Sequence, residues 1–404
     1  MPASVTSTFR HTPLSRLTRF TPWLLAGSLL TGCFGDSDTD TVAYSQQVVF
    51  GDSLSDSGSY AVGAIAAAGG GKFTVNSLPA SSQVWAERVA AGLSLAAPCP
   101  AQTGLEGDPA KGLSAPVTDH PGCTNYAQGG SRVTDPVGPH NKAVEPELGY
   151  LTVPVASQIS RHLQRTNGRF SGQEIVFVFA GGNDLLWQTD AMTAEVAASL
   201  GQQIATDIAS GACIPADETG SNCFPGAIDH AVVRLAPAHQ AAMEQAGREL
   251  AALVNQQIAG KGAKRVVVLN LPDVSKSPSM KGRSAVVQAA AAGMVTAFNN
   301  QLAAGLNADS ASASTVLQID VFGLFATWAA NPSGYGFSNF ADTACDLTKP
   351  VPNLLGSSIT CNTGNVVAGD VSRYTFADTV HPTPYTHGLM ADHVLAKLRA
   401  RGWW

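Results

Sequence analysis

Charge is scarce in this chain. Charged residues fill 13% of its 404 positions, about half the usual share for a globular protein. There is no run of Lys and Arg, and the net charge is −6. An acidic chain without a basic stripe is a poor nucleic-acid binder, and no nucleic acid is expected as a partner. Cys-x-x-Cys and His-x-x-x-His spacings are both missing, so no zinc-ligand pattern exists and no metal site is expected. Gly-x-Ser-x-Gly is missing too, which argues against the nucleophile elbow of the α/β-hydrolases. Gly69-Gly70-Gly71-Lys72 fails as a phosphate-binding loop, because Ala66 and Phe73 stand where a Gly and a Ser or Thr are needed. Nothing in the sequence calls for a cofactor.

Residues 1–32 contain Arg10, Arg16 and Arg19 and no acid, followed by a short apolar run at 23–30. That run is too short to cross a bilayer as a stable helix and reads as part of an export signal. The segment ends in Leu30-Thr31-Gly32-Cys33, which resembles a bacterial lipobox. The expectation is a lipoprotein of the cell envelope, placed at the outer membrane and held to it through lipidated Cys33; the plainer alternative is an ordinary secretory peptide. The seven cysteines support the first reading, since an odd count in an exported protein asks for one special thiol. Without Cys33, the remaining six fall into neighbouring pairs. Proximity favours Cys99 with Cys123, Cys213 with Cys223, and Cys345 with Cys361, out of fifteen possible pairings.

Hydrophobic residues make up 45% of the chain, ample for a core. Strand-like apolar runs at 47–50, 175–180, 265–269 and 315–319 alternate with helical stretches at 195–210, 228–259, 284–306 and 385–399. The unbroken run at 175–180 has the character of a strand buried on both faces. The expected fold is α/β: a three-layer α/β/α sandwich on a central parallel sheet, forming one domain at 47–404 behind a polar tether at 33–46. The connections 61–174 and 320–377 show little regular pattern. They are expected to overhang the carboxyl edge of the sheet, where such folds bind ligands.

Two motifs at opposite ends of that domain carry chemistry. Gly51-Asp52-Ser53-Leu54 follows the first apolar run, and Asp378-Thr379-Val380-His381-Pro382 precedes the last helix. A serine hydroxyl is a weak nucleophile until a base takes its proton, and the base works best when a third group holds its tautomer. The spacing of Asp378 and His381 lets one tight turn set the carboxylate against Nδ1, leaving Nε2 for Ser53 on an exposed turn. Asp52, Asp56 and Asp184 read as acceptors for local turns and caps. His387 and His393 do not share a helix face and read as surface or supporting histidines.

Four blocks, in order, resemble the GDSL, or SGNH, hydrolase family, whose fold is flavodoxin-like: residues 50–58, Asn125-Tyr126-Ala127-Gln128-Gly129-Gly130, Gly181-Gly182-Asn183-Asp184, and 378–381. Weaker similarities include Gln158-Ile159 and Asn270-Leu271-Pro272-Asp273. The stretch 61–71 and the polar segment before Trp85 are longer than the family's usual spacing. The resemblance implies a serine esterase or lipase with Ser53 as nucleophile, His381 as base and Asp378 as its orienter. The oxyanion hole would comprise the N–H groups of Ser53 and Gly130 and the Asn183 amide. The substrate would be a small-molecule or lipid ester, whether an acyl ester, a lysophospholipid, a choline ester or an acetylated sugar. Two alternatives stay open: acyl transfer to an alcohol, and a non-catalytic surface lipoprotein that binds glycans or lipid.

Overall fold

The structure, a computed structural model, describes residues 42–76, 82–216, 221–308, 312–349 and 356–404. The leader at 1–32, Cys33 and most of the tether lie outside the described residues. In chain order the elements are strand β1 (Gln47–Gly51), helices α1 (Gly63–Ala67) and α2 (Trp85–Gly92), strands β2 (Gln102–Glu106) and β3 (Ser114–Asp119), helix α3 (Val155–Arg165), strand β4 (Ile175–Phe179), and the long helices α4 (Gly182–Ala209) and α5 (Phe224–Leu253). There follow β5 (Arg265–Leu269), α6 (Ala285–Ala308), α7 (Ser312–Thr315), β6 (Val316–Ile319), α8 (Val321–Ala330), β7 (Asn339–Thr343), β8 (Tyr374–Phe376) and α9 (Pro384–Ala400).

The four expected strands form one parallel sheet in the order β1-β4-β5-β6. Every residue of β1 and β4 is buried. This explains why their sequences are apolar throughout instead of alternating. Trp85 of α2 meets Phe177 and Phe179 edge-on at 5.5 and 6.2 Å between ring centroids. Side chains alternate along a strand, so Val176 and Val178 turn toward the opposite layer. α2 packs with α9, while α5 packs with both α4 and α6. The result is a parallel sheet flanked by helices.

Residues 124–126 extend the sheet beyond β1. The Val49 N–H donates to Thr124 O at 3.0 Å, and the Tyr126 N–H donates to Val49 O at 2.8 Å. The block that runs to Gly130 is thereby carried to the same end of the sheet as Ser53. Gly51 closes β1 because a Cβ there would lie 2.3 Å from Phe179 O, so the two strands can approach this closely only with glycine.

The structure departs from the sequence reading in several places. α4 begins at Gly182 and not near 195, so the Gly-Asn-Asp segment is the helix's first turn. The connection 61–174 holds α2, the β2–β3 hairpin and α3, and 320–377 holds α8, β7 and β8. α3 had a readable signal: Val155, Ile159 and Leu163 recur at helical spacing directly after Pro154. The three disulfides are Cys99–Cys123, Cys213–Cys223 and Cys345–Cys361, as proximity favoured.

Candidate active site

Ser53 lies in the turn after β1 and His381 just ahead of α9, 328 positions apart in sequence. The fold brings His381 Nε2 to 2.8 Å from Ser53 Oγ. On the other side of the ring, Nδ1 lies 2.7 Å from Asp378 Oδ2 and 2.9 Å from Oδ1. Asp378 Oδ1 also accepts from the N–H groups of Val380 at 3.0 Å and His381 at 2.8 Å, while Oδ2 accepts from the Ser358 N–H at 2.7 Å. Burial alone would raise the Asp378 carboxyl; the His381 charge and these hydrogen bonds outweigh it and hold the group well below the usual carboxylate range. An imidazole held this way can take a proton from the hydroxyl and return it to another oxygen. Ser53 is 6% exposed, so it sits in the floor of a cleft and not on the exposed turn expected from sequence.

Asn183 occupies the first turn of α4, and its amide donates to Ser131 O at 2.9 Å. It lines one small cavity together with Ser53 and His381. Gly130 has φ +80, and a Cβ there would lie 2.6 Å from both Pro139 O and Thr152 Cγ2. Backbone conformation and packing therefore require glycine here, a stronger reason than open access to a backbone donor. Among the described residues, no hydrogen bond engages the backbone N–H of Ser53 or of Gly130.

Buried polar side chains tie the blocks together, and their reach is longer than the sequence suggested. Asp52 behaves as expected of a turn residue, accepting from the Leu54 N–H at 3.1 Å. Burial raises its carboxyl to about 7, against the hydrogen bond from Leu54 and the nearby His381 charge. Asp56 accepts from Gly58 and Ser59 locally, but also from the Gly129 N–H at 3.0 Å, which fastens the first block to the second. Asp184 accepts from the Val133 N–H at 3.0 Å and from Arg132 Nε at 3.2 Å, fastening the third block to the segment just after the second. Its carboxyl is raised to about 6 by burial, with Arg132 opposing. Gln158 of α3 does the same for the turn after β1: its Oε1 accepts from the Gly51 N–H at 2.9 Å, and its Nε2 donates to Gly51 O at 2.8 Å and Ser131 Oγ at 3.2 Å. Local sequence gave no role to Gln158. The pairing with Gly51 spans 107 positions.

His387 is fully buried, which corrects the surface reading. Its Nδ1 accepts from the Trp85 N–H at 3.2 Å, and burial lowers its pKa to about 3. His393 is half-buried. The buried ring of Phe73 lies 4.9 Å from that of His381, tilted 36° to it.

Two cavities meet at His381. The smaller, about 60 Å³, is lined by Ser53, Asn183, Leu54, Leu185, Leu271 and Val274, among others. The larger, about 630 Å³, is lined by His381 and Asp378 together with residues of the 139–145 loop, α4 and the 356–357 segment.

The thermolabile hemolysin of Vibrio parahaemolyticus is 25% identical over 136 residues, a stretch covering 33% of this chain and 32% of that protein. The match thus spans about a third of that relative's length. The extracellular lipase of Streptomyces rimosus, known from its crystal structure, aligns over 88% of this chain and 99% of its own at 15% identity, with a TM-score of 0.34. Residues 48–394 match the GDSL-like lipase/acylhydrolase family, and the chain belongs to that family.

Proposed function

We propose that this ester hydrolase works through Ser53 as nucleophile, His381 as general base and then acid, and Asp378 as the group that fixes the imidazole. The observation that carries the reading is the continuous hydrogen-bonded path from Ser53 Oγ through both His381 nitrogens to a carboxylate held in its charged form. Ser53 attacks the ester carbonyl as His381 takes its proton, and His381 then passes that proton to the leaving alcohol. Water reverses the sequence on the acyl-enzyme. The tetrahedral oxyanion would lie among the N–H groups of Ser53 and Gly130 and the Asn183 amide, near the positive end of α4. Ser53→Ala, checked for an unchanged thermal midpoint, should abolish hydrolysis of p-nitrophenyl esters. Substantial turnover in that variant would overturn the assignment.

The same reading makes residues 1–32 an export leader, 33–46 a tether and 47–404 the hydrolase domain. Three disulfides suit an oxidising compartment outside the cytoplasm. Lipidation of Cys33 would attach the protein by more than one acyl chain, enough for stable membrane residence. Cys33→Ser should move the protein from the membrane fraction to the soluble one with its specific activity intact. An unmodified Cys33 in the mature wild-type protein, seen by mass spectrometry, would remove the anchor.

A further inference from the structure

We infer that the two cavities divide the substrate unequally, so that the enzyme prefers esters of a short acyl group with a bulky alcohol. The inference rests on the proposed roles of Ser53, Asn183 and His381. In the reaction, the bond from Ser53 Oγ to the acyl carbon forms, the bond from that carbon to the alcohol oxygen breaks, and the proton taken from Ser53 passes through His381 Nε2 to the departing alcohol. Water then attacks the acyl carbon, gives a proton to His381, and releases the carboxylic acid while Ser53 is reprotonated. The acyl group must therefore stay beside Ser53 with its oxygen toward Asn183, whereas the alcohol must leave past His381.

The cavities match those two requirements. Ser53 and Asn183 both line the smaller one, and its other walls are mostly apolar: Leu54, Leu185, Leu271, Pro272, Val274. Its roughly 60 Å³ holds about four to six groups the size of a water molecule, which suits acetyl to butyryl chains. The larger cavity, about 630 Å³, is lined by His381 and Asp378, and neither Ser53 nor Asn183 is among its walls. Leu186 and Ala191 give it apolar surface, and His140, Glu145, Asp190 and Ser279 give it polar surface. It can take an alcohol several times larger than the acyl group and carrying its own polar atoms. Behind Leu54, Pro272 and Val274 lies another apolar space of about 30 Å³, bounded by Phe179, Phe325 and Met390. These shared residues set the acyl limit.

Isomeric esters test this directly. Hexyl acetate and ethyl hexanoate have the same composition and differ only in which side of the carbonyl is large. The wild-type enzyme should favour hexyl acetate by at least about tenfold in kcat/KM, since one methylene that fits or misses an apolar pocket is worth roughly 10- to 200-fold. Val274→Ala, which joins the small cavity to the space behind it, should move the ratio toward ethyl hexanoate. Ala191→Phe, which fills the larger cavity, should also lower the ratio, but by weakening hexyl acetate. Equal rates or a preference for ethyl hexanoate would overturn the inference while leaving the esterase reading in place. So would a ratio that neither variant moves. No Ser53-dependent hydrolysis of either ester would overturn both.

Discussion

The backbone N–H of Ser358 donates to Asp378 Oδ2 at 2.7 Å, from within the loop closed by the Cys345–Cys361 disulfide. The carboxylate that faces His381 is therefore positioned from both sides, by its own turn through Val380 and His381 and by a stapled loop. The same loop edge is bound to the strand leading into Asp378: the Cys345 N–H donates to Ala377 O at 2.9 Å.

Removing that disulfide should slow the chemistry. In the double variant Cys345→Ala and Cys361→Ala, the Ser358 N–H loses its fixed position and Asp378 loses one charge-assisted hydrogen bond, worth about 1.5–3 kcal/mol. A fall in kcat of about tenfold or more with little change in KM is expected. Cys213–Cys223, which joins the end of α4 to the start of α5, is the control: its removal should lower the thermal midpoint and spare kcat. Equal loss of kcat in both variants would mean that general destabilisation explains the effect.

Asp378→Asn should lower kcat by something on the order of 10⁴ with the fold retained. An amide can accept either from Ser358 or from Val380 and His381, not from both sides, and its NH₂ favours the imidazole tautomer with the proton on the wrong nitrogen. Near-normal turnover would show that another acid orients His381.

Asn183→Ala has two separable effects. If the amide stabilises the oxyanion, kcat should fall by roughly 10²–10³ while KM moves little. Its bond to Ser131 O should also disappear, leaving a buried carbonyl unpaired at about 1–3 kcal/mol. A lowered midpoint with normal kcat for the folded fraction would assign Asn183 to structure alone.

The four sheet strands are legible from sequence because each is a short apolar run between breakers, and their observed ends lie within a residue of the expected ones. Ser53, Asp378 and His381 are legible because a short motif surrounds each. Asp56, Asp184 and Gln158 are not, since their decisive partners, Gly129, Val133 and Gly51, lie 73, 51 and 107 positions away. No local pattern encodes a hydrogen bond of that reach. Which of the two readings of His387 holds, surface or supporting, is illegible for a related reason. Its helix α9 is covered by α2, a packing that depends on an eight-residue helix too short to stand out. The cavities were illegible because they belong to loops and helix ends brought together only by the finished sheet.

His387 gives a test of the core that does not depend on catalysis. Its pKa is lowered to about 3 from the ordinary 6.5, first by burial and then by the charges of Arg88, His381 and Lys72. In the unfolded chain the same imidazole takes up a proton near its ordinary value. Between those two values the unfolded state binds more protons than the folded one, so acid favours unfolding. The stability associated with neutral His387 is therefore complete above about pH 6.5 and is lost as the pH falls toward 3. Asp52 and Asp184, raised by burial to about 7 and about 6, act with the opposite sign, because they hold protons in the folded state that the unfolded chain releases. They are common to wild type and variant and cancel in a comparison. In His387→Asn, the amide oxygen can still accept from the Trp85 N–H but has no proton to gain. Urea unfolding of both proteins at about pH 7, 6 and 5 should show wild type losing ground to the variant by up to about 1.4 kcal/mol per pH unit. A difference that stays constant across that range would mean the folded protein admits a charged His387, and that the packing of α2 on α9 is looser than the structure has it.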